Sequence, residues 1–318
     1  MATTSPEVHA RQRIVIHNWV RVFGIGAALW IASVIVTGVT GNLNLVPTVV
    51  LLGSFLVPMT AVVWYLDHYN GQTLTAQHVL YAFVVGGVLG VLGASLLEAW
   101  LLTDGLLIYL GVGLIEEACK LVALIVVAWQ LPRYTTRDGI VLGAAVGFGF
   151  GAFESAGYAF SSLLVHNGPY IIGLSLPNLV MTELLRGVLA PVGHGLWTAI
   201  LGGVLFRASR GAKHPRITLG VVGTYLLVSL LHALWDSMRG IALVLTELFT
   251  GTPIQRIALT SGILLPPTPT QVGVFVILQW VGLAVISIAG FLWLRAIWRS
   301  ARGERLAQGS RGVVPTLS

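Results

Sequence analysis

Val22-Phe-Gly-Ile-Gly-Ala-Ala-Leu-Trp-Ile-Ala-Ser-Val-Ile-Val-Thr-Gly-Val-Thr40 runs for nineteen residues without a charged side chain. As a helix rising about 1.5 Å per residue it reaches roughly 29 Å, the thickness of a bilayer's hydrocarbon core. Working outward, the same criterion finds apolar stretches at 45–66, 78–102, 105–131, 139–164, 186–206, 217–238 and 272–294. The sequence therefore predicts an all-α polytopic transmembrane bundle of about eight spans, a single integral membrane domain over 1–318. Composition agrees. The chain is 56% hydrophobic and 9% charged, whereas soluble domains are about one-quarter charged. So little charge excludes a soluble globule of this size.

The net charge of +6 is not a nucleic-acid footprint, because the basic residues sit in short loops between apolar runs. They carry topology. Arg11, Arg13 and Arg21, then Arg133 and Arg137, then Arg207, Arg210, Lys213 and Arg216, then the C-terminal Arg295, Arg299, Arg302, Arg305 and Arg311 all fall on one side of an eight-span chain. Arg186, Arg239 and Arg256 fall on the other. The positive-inside rule makes the rich side cytoplasmic, with 1–18 and 302–318 as cytoplasmic tails. Met1–Asn18 is polar and has no small-residue cleavage site, so the first apolar segment is expected to stay as an anchor. Residues after Arg302 lack apolar periodicity and are expected to be irregular. The loops 165–185 and 239–271 are the longest on the non-cytoplasmic side, and 241–249 either extends the seventh span or lies along the interface.

Charges at membrane depth are costly and mark functional sites. Most of the chain's histidines and acids fall near span ends, with Glu98 reaching the headgroups and Glu183 in a loop. The residues that remain are Glu116, Glu117 and Lys120 on span four, Glu154 on span five, His194 on span six, and His232 and Asp236 on span seven. Glu116, Glu154 and His194 lie roughly 12–17 Å below an outer helix end. Glu116 and Lys120 share a face at i,i+4 spacing, as do His232 and Asp236. Small residues around Glu154 and His194 let helices converge. Each group alone reads as a satisfied interhelical hydrogen bond; the set at one depth does not.

Two histidines with carboxylates suit Zn²⁺, which accepts nitrogen and oxygen ligands and keeps a position for water in catalytic sites. A bound metal lowers the pKa of water toward ~7 and polarises a carbonyl, and a nearby glutamate then acts as general base. That is peptide-hydrolysis chemistry. The chain has no HExxH and no GxSxG motif. Cys119, the single cysteine, lies beside carboxylates that disfavour its thiolate.

Glu116-Glu117-Ala-Cys-Lys120 resembles the EExxK motif of the PrsW family of intramembrane proteases, and Phe150-Gly-Ala-Phe-Glu154 its FxxxE motif. Gly193-His194-Gly-Leu-Trp197 and His232-Ala-Leu-Trp-Asp236 are similar to its histidine segments. The order and helix placement match over about 105–240, the expected catalytic core. Type II CAAX prenyl endopeptidases are similar too, but have EExxxR and a histidine where this chain has Glu154. The resemblance implies intramembrane proteolysis of membrane proteins, including signalling regulators such as anti-sigma factors. The expected roles are catalysis for Glu116, Glu117 and Lys120, and Zn²⁺ ligation for Glu154, His194, His232 and Asp236. Three other readings stay open: a glutamate-type protease without metal, a proton- or ion-coupled transporter, and a scaffold whose polar groups only join helices. Against the transporter, the chain shows no paired, broken-helix repeats.

Overall fold

The computed structural model describes residues 17–68, 73–105 and 107–311, the last ten by backbone alone. It is a helical bundle. Helix α1 (Asn18–Thr40) is followed by α2 (Val46–His68), α3 (Ala76–Tyr81), α4 (Gly87–Leu101), α5 (Ile108–Ala128) and α6 (Thr136–Leu163). A hairpin of strands β1 (Leu164–Asn167) and β2 (Tyr170–Leu174) leads into α7 (Leu176–Leu189). The chain then forms α8 (His194–Ala208), α9 (Leu219–Thr250), α10 (Pro253–Thr260) and α11 (Pro269–Arg311).

Among the described residues, seven helical segments are long and apolar enough to cross a membrane. Helix α5 adds an eighth of spanning length, about 32 Å at 1.5 Å per residue. It differs from those seven in carrying Glu116, Glu117 and Lys120 within it. It packs against α4, α6, α8 and α9, and those three side chains are buried in that contact.

Four expectations are corrected. The loop at 165–185 is an antiparallel hairpin, turned at Gly168 (φ +60°), and most of a helix. Span six accordingly covers Leu176–Ala208, broken at Ala190–Val192 where Pro191 cannot donate a helical hydrogen bond. Glu183 is then mid-helix, not in a loop. It is buried, and one of its carboxylate oxygens accepts a 2.8 Å bond from Trp30 Nε1. Residues 241–249, by contrast, extend the seventh span as one of the two readings had it, leaving α10 as the only helix in the loop that follows α9. The backbone stays helical to Arg311, because Ala, Glu, Leu, Arg and Gln there are good helix formers even without an apolar stripe; 312–318 and the N-tail 1–16 lie outside the described residues.

Helix α6 is the hub. Gly143 and Gly147 face the backbone of α8, where an added Cβ would collide with the carbonyls of Thr198 and His194. Such close approach is what small residues permit between membrane helices. It brings Glu154 of α6 beside His194 of α8. The basic loops meet at one end of the bundle. Arg133 Nε donates to Thr73 Oγ1 (2.6 Å) and Arg210 Nη2 to Thr136 Oγ1 (2.6 Å). Asp67 at the end of α2 accepts from Asn18 and Trp19 at the start of α1.

Candidate active site

Adjacent Glu116 and Glu117 leave α5 about 100° apart, and Lys120 reaches both from the next turn. Its Nζ donates to Glu116 Oε2 (3.0 Å), Glu117 Oε1 (2.9 Å) and His194 Nδ1 (2.8 Å). An ammonium has three protons, so all are used. The Phe150 ring lies 3.9 Å from Nζ, which gives the aromatic position of Phe150-Gly-Ala-Phe-Glu154 a physical role as a cation–π lid. The Lys120 side chain is fully buried, at 0% exposure.

His232 is carried by α9, which is tied to α5 by Tyr225 Oη donating to the Leu114 carbonyl (2.8 Å). Its Nδ1 is 3.1 Å from Glu117 Oε1. Its Nε2 faces Glu116 Oε2 at 3.6 Å and Asp236 Oδ2 at 3.3 Å. His194 opens α8 at the break in span six. Its Nε2 is 3.0 Å from Glu154 Oε2, and its Nδ1 is 3.9 Å from Glu116 Oε2. The partners assign the protons. His232 Nδ1–H donates to Glu117 and His194 Nε2–H donates to Glu154, while His194 Nδ1 accepts from Lys120 and His232 Nε2 faces the Asp236 and Glu116 carboxylates. Each histidine is thus backed by a carboxylate, the arrangement that fixes tautomer and ring angle in metal sites.

Glu116, His194 and His232 each offer one ligand atom, and these atoms lie within 4.8 Å of one another. The donor set of two nitrogens and one oxygen suits a borderline-soft divalent cation. So does the charge. Glu116, Glu117, Glu154 and Asp236 are four carboxylates; Lys120 and Arg186 are the two cations bonded among them. Four against two leaves an excess of negative charge even before Glu98 is counted, which favours a cation.

A cleft of about 100 Å³ reaches the cluster, lined by Glu154, Tyr158, Arg186, His194, Trp235 and Asp236 among others. That is room for several waters. Lys120 and Glu117 are sealed from it, whereas the Asp236 side chain is 28% exposed and the His194 side chain 16%.

All seven residues singled out in the sequence come together. Four others belong with them. Arg186, expected at a span end, pairs with Glu154 Oε2, donates from Nε to Ser155 Oγ (2.7 Å) and covers the Tyr158 ring at 4.4 Å. Trp197 fills the floor, its ring 4.7 Å from that of His232 and 5.6 Å from that of His194. Phe150 caps Lys120. Glu98, expected at the headgroups, has a buried oxygen, and its charge interacts with Glu154, Lys120, His232 and Asp236. Trp197 and Phe150 were available as the aromatic positions of their motifs. Arg186 and Glu98 had no signal beyond being ionisable near a span.

No curated protein and no solved structure matches the chain. The sequence profile of the PrsW family intramembrane metalloproteases matches residues 74–260. That segment is more than half of the 318 residues and contains every member of the cluster. The chain therefore belongs to the PrsW family of intramembrane metalloproteases, hydrolases of membrane-protein substrates in the lipid bilayer.

Proposed function

We propose that the protein is a zinc-dependent intramembrane endopeptidase, and the observation that carries this is the ligand-ready grouping of Glu116, His194 and His232 beside a water-sized cleft. These three would hold the ion. When bound, it supplies a Lewis acid and lowers the pKa of water. Glu117 and Glu154 orient the two histidines. Lys120 holds the Glu116–Glu117 pair in place. The base must reach water, which favours Asp236 over Glu117. Asp236 lines the cleft, whereas Glu117 is 0% exposed and its Oε1 is engaged by Lys120 and His232. Arg186, at the cleft wall, fixes Glu154.

A second reading is a glutamate-type protease without metal. It is favoured by one contact, the 2.8 Å bond from Lys120 Nζ to His194 Nδ1, which uses the lone pair a metal would need. Metal content decides between them. Purified wild-type protein should carry close to one equivalent of zinc, His232→Ala should lose it, and chelation should stop proteolysis. Full activity in metal-free protein would select the glutamate-type reading.

The proposed setting is a prokaryotic cytoplasmic membrane with both termini cytoplasmic, inferred from the basic loops. The proposed substrates are membrane-embedded signalling regulators such as anti-sigma factors. A helical substrate shields its peptide bonds, so cleavage should fall where the helix can unwind, in its outer half or just beyond. Mass-spectrometric mapping of new protein termini, in membranes with the wild type or with His232→Ala, should find them only with the wild type and on the outer side of their spans. Termini unaffected by His232→Ala would count against proteolysis at this site, and cytoplasmic termini against the orientation.

A further inference from the structure

The four helices that carry the cluster all end at the same basic pole. Helix α5 arrives there at Ala128, α6 begins there at Thr136, α8 arrives at Ala208 and α9 departs at Leu219. The loops that join them, 129–135 and 209–218, lie far apart in sequence yet pack together. The His214 ring stacks on that of Trp129 (centroids 4.5 Å, 16° between planes). Arg210 bridges to Thr136 on the opposite loop's helix. Arg137, in the first turn of α6, lies over the Trp298 ring of α11 at 4.7 Å. Between residues 129 and 138 and between 209 and 218 the chain has five Lys or Arg against one acid, the buried Asp138.

Ordinary topology signals need only the count of cations per loop. They do not need the two loops to be fastened to each other. Arg133, Lys213 and Arg216 are exposed at this pole, and Trp129 and Trp298 supply the aromatic groups that favour the water–hydrocarbon boundary. The three exposed cations on these loops favour an anion. The pole is continuous with the lipid-facing surfaces of the spans, which makes the bilayer's own headgroups its nearest source.

We propose that this pole is a binding site for the headgroup of an anionic phospholipid, which bridges the 129–135 and 209–218 loops. Bound there, the lipid braces the α8–α9 pair roughly 20 Å from His194 and His232, counting 1.5 Å per residue along each helix. The proposal does not depend on which groups perform the chemistry or on whether a metal is needed.

The test uses the full chain purified into nanodiscs of phosphatidylcholine, with or without phosphatidylglycerol. Lipid affinity is read by native mass spectrometry and stability by thermal unfolding. Phosphatidylglycerol should be retained and should raise the melting temperature of the wild type, less so at high salt. Each juxtamembrane cation is worth roughly fivefold in affinity, so Arg133→Gln/Lys213→Gln/Arg216→Gln should lose on the order of 100-fold. Lys213→Gln alone, an exposed change that leaves the fold intact, should lose about fivefold. Arg256→Gln, at the opposite end, should change nothing. Equal retention by wild type and Lys213→Gln, or a wild type that melts alike in both lipids, would overturn the proposal. Inorganic phosphate giving the same stabilisation in pure phosphatidylcholine would replace the lipid with a free anion and overturn it too.

Discussion

Lys120→Met is expected to cost about 3–5 kcal/mol of folded stability and to abolish proteolysis. Methionine nearly matches the lysine stem in volume, so packing is kept and the loss is one of charge. In the wild type a single ammonium, with no exposure to solvent, donates to Glu116, Glu117 and His194. Without it, two adjacent carboxylates on one helix face each other in a medium that cannot hydrate them. Breaking a buried ion cluster by removing one partner is far more damaging than replacing the whole cluster with neutral groups. The triple variant Lys120→Met/Glu116→Gln/Glu117→Gln should therefore recover much of the stability while remaining inactive. Unfolding in a common detergent measures the first quantity, and appearance of substrate termini the second. A Lys120→Met protein that melts with the wild type and still cuts would remove Lys120 from the cluster.

What the sequence made legible, and what it hid, follows from the kind of coordinate each signal carries. Hydropathy reports position along the membrane normal. It located the eight traverses, and it set Glu116, Glu154 and His194 at one depth. It says nothing about rotation around a helix axis. Depth alone therefore could not tell that Glu154 backs His194 while Glu116 faces both histidines. Nor could it turn Glu98 inward. Arg186 was hidden for a different reason. Hydropathy starts span six at 186 because Asn178, Thr182 and Glu183 before it interrupt the apolar run. The chain instead continues the helix back to Leu176 and breaks it at Ala190–Val192. A residue that looked terminal is thus internal, and its ion pair spans 32 positions of sequence. The basic loops show the converse. Their co-location was legible from charge counts, but the stacking of His214 on Trp129 needed the fold.

Asp236→Asn is expected to lower turnover by about 10²–10⁴-fold with metal content unchanged. The substitution keeps the shape of a side chain whose Oδ2 lies 3.3 Å from His232 Nε2, but an amide cannot accept a proton from water. Two companion variants separate the roles around it. Glu116→Gln removes an anionic donor from the grouping of Glu116, His194 and His232, so metal and activity should fall together. Glu117→Gln either turns an amide N–H toward His232 Nδ1–H or rotates the ring. It should weaken metal binding by about 10–100-fold, the usual effect of losing a supporting carboxylate. Metal titration and single-turnover cleavage on the same preparations give both readouts for all three. One alternative has its own structural motive: Glu117 Oε2 is buried without a partner, an acceptor that lacks a proton donor. If Asp236→Asn cuts at the wild-type rate while Glu117→Gln retains its metal and is inactive, the proton goes to that oxygen, and water must reach it from the cleft past Glu116.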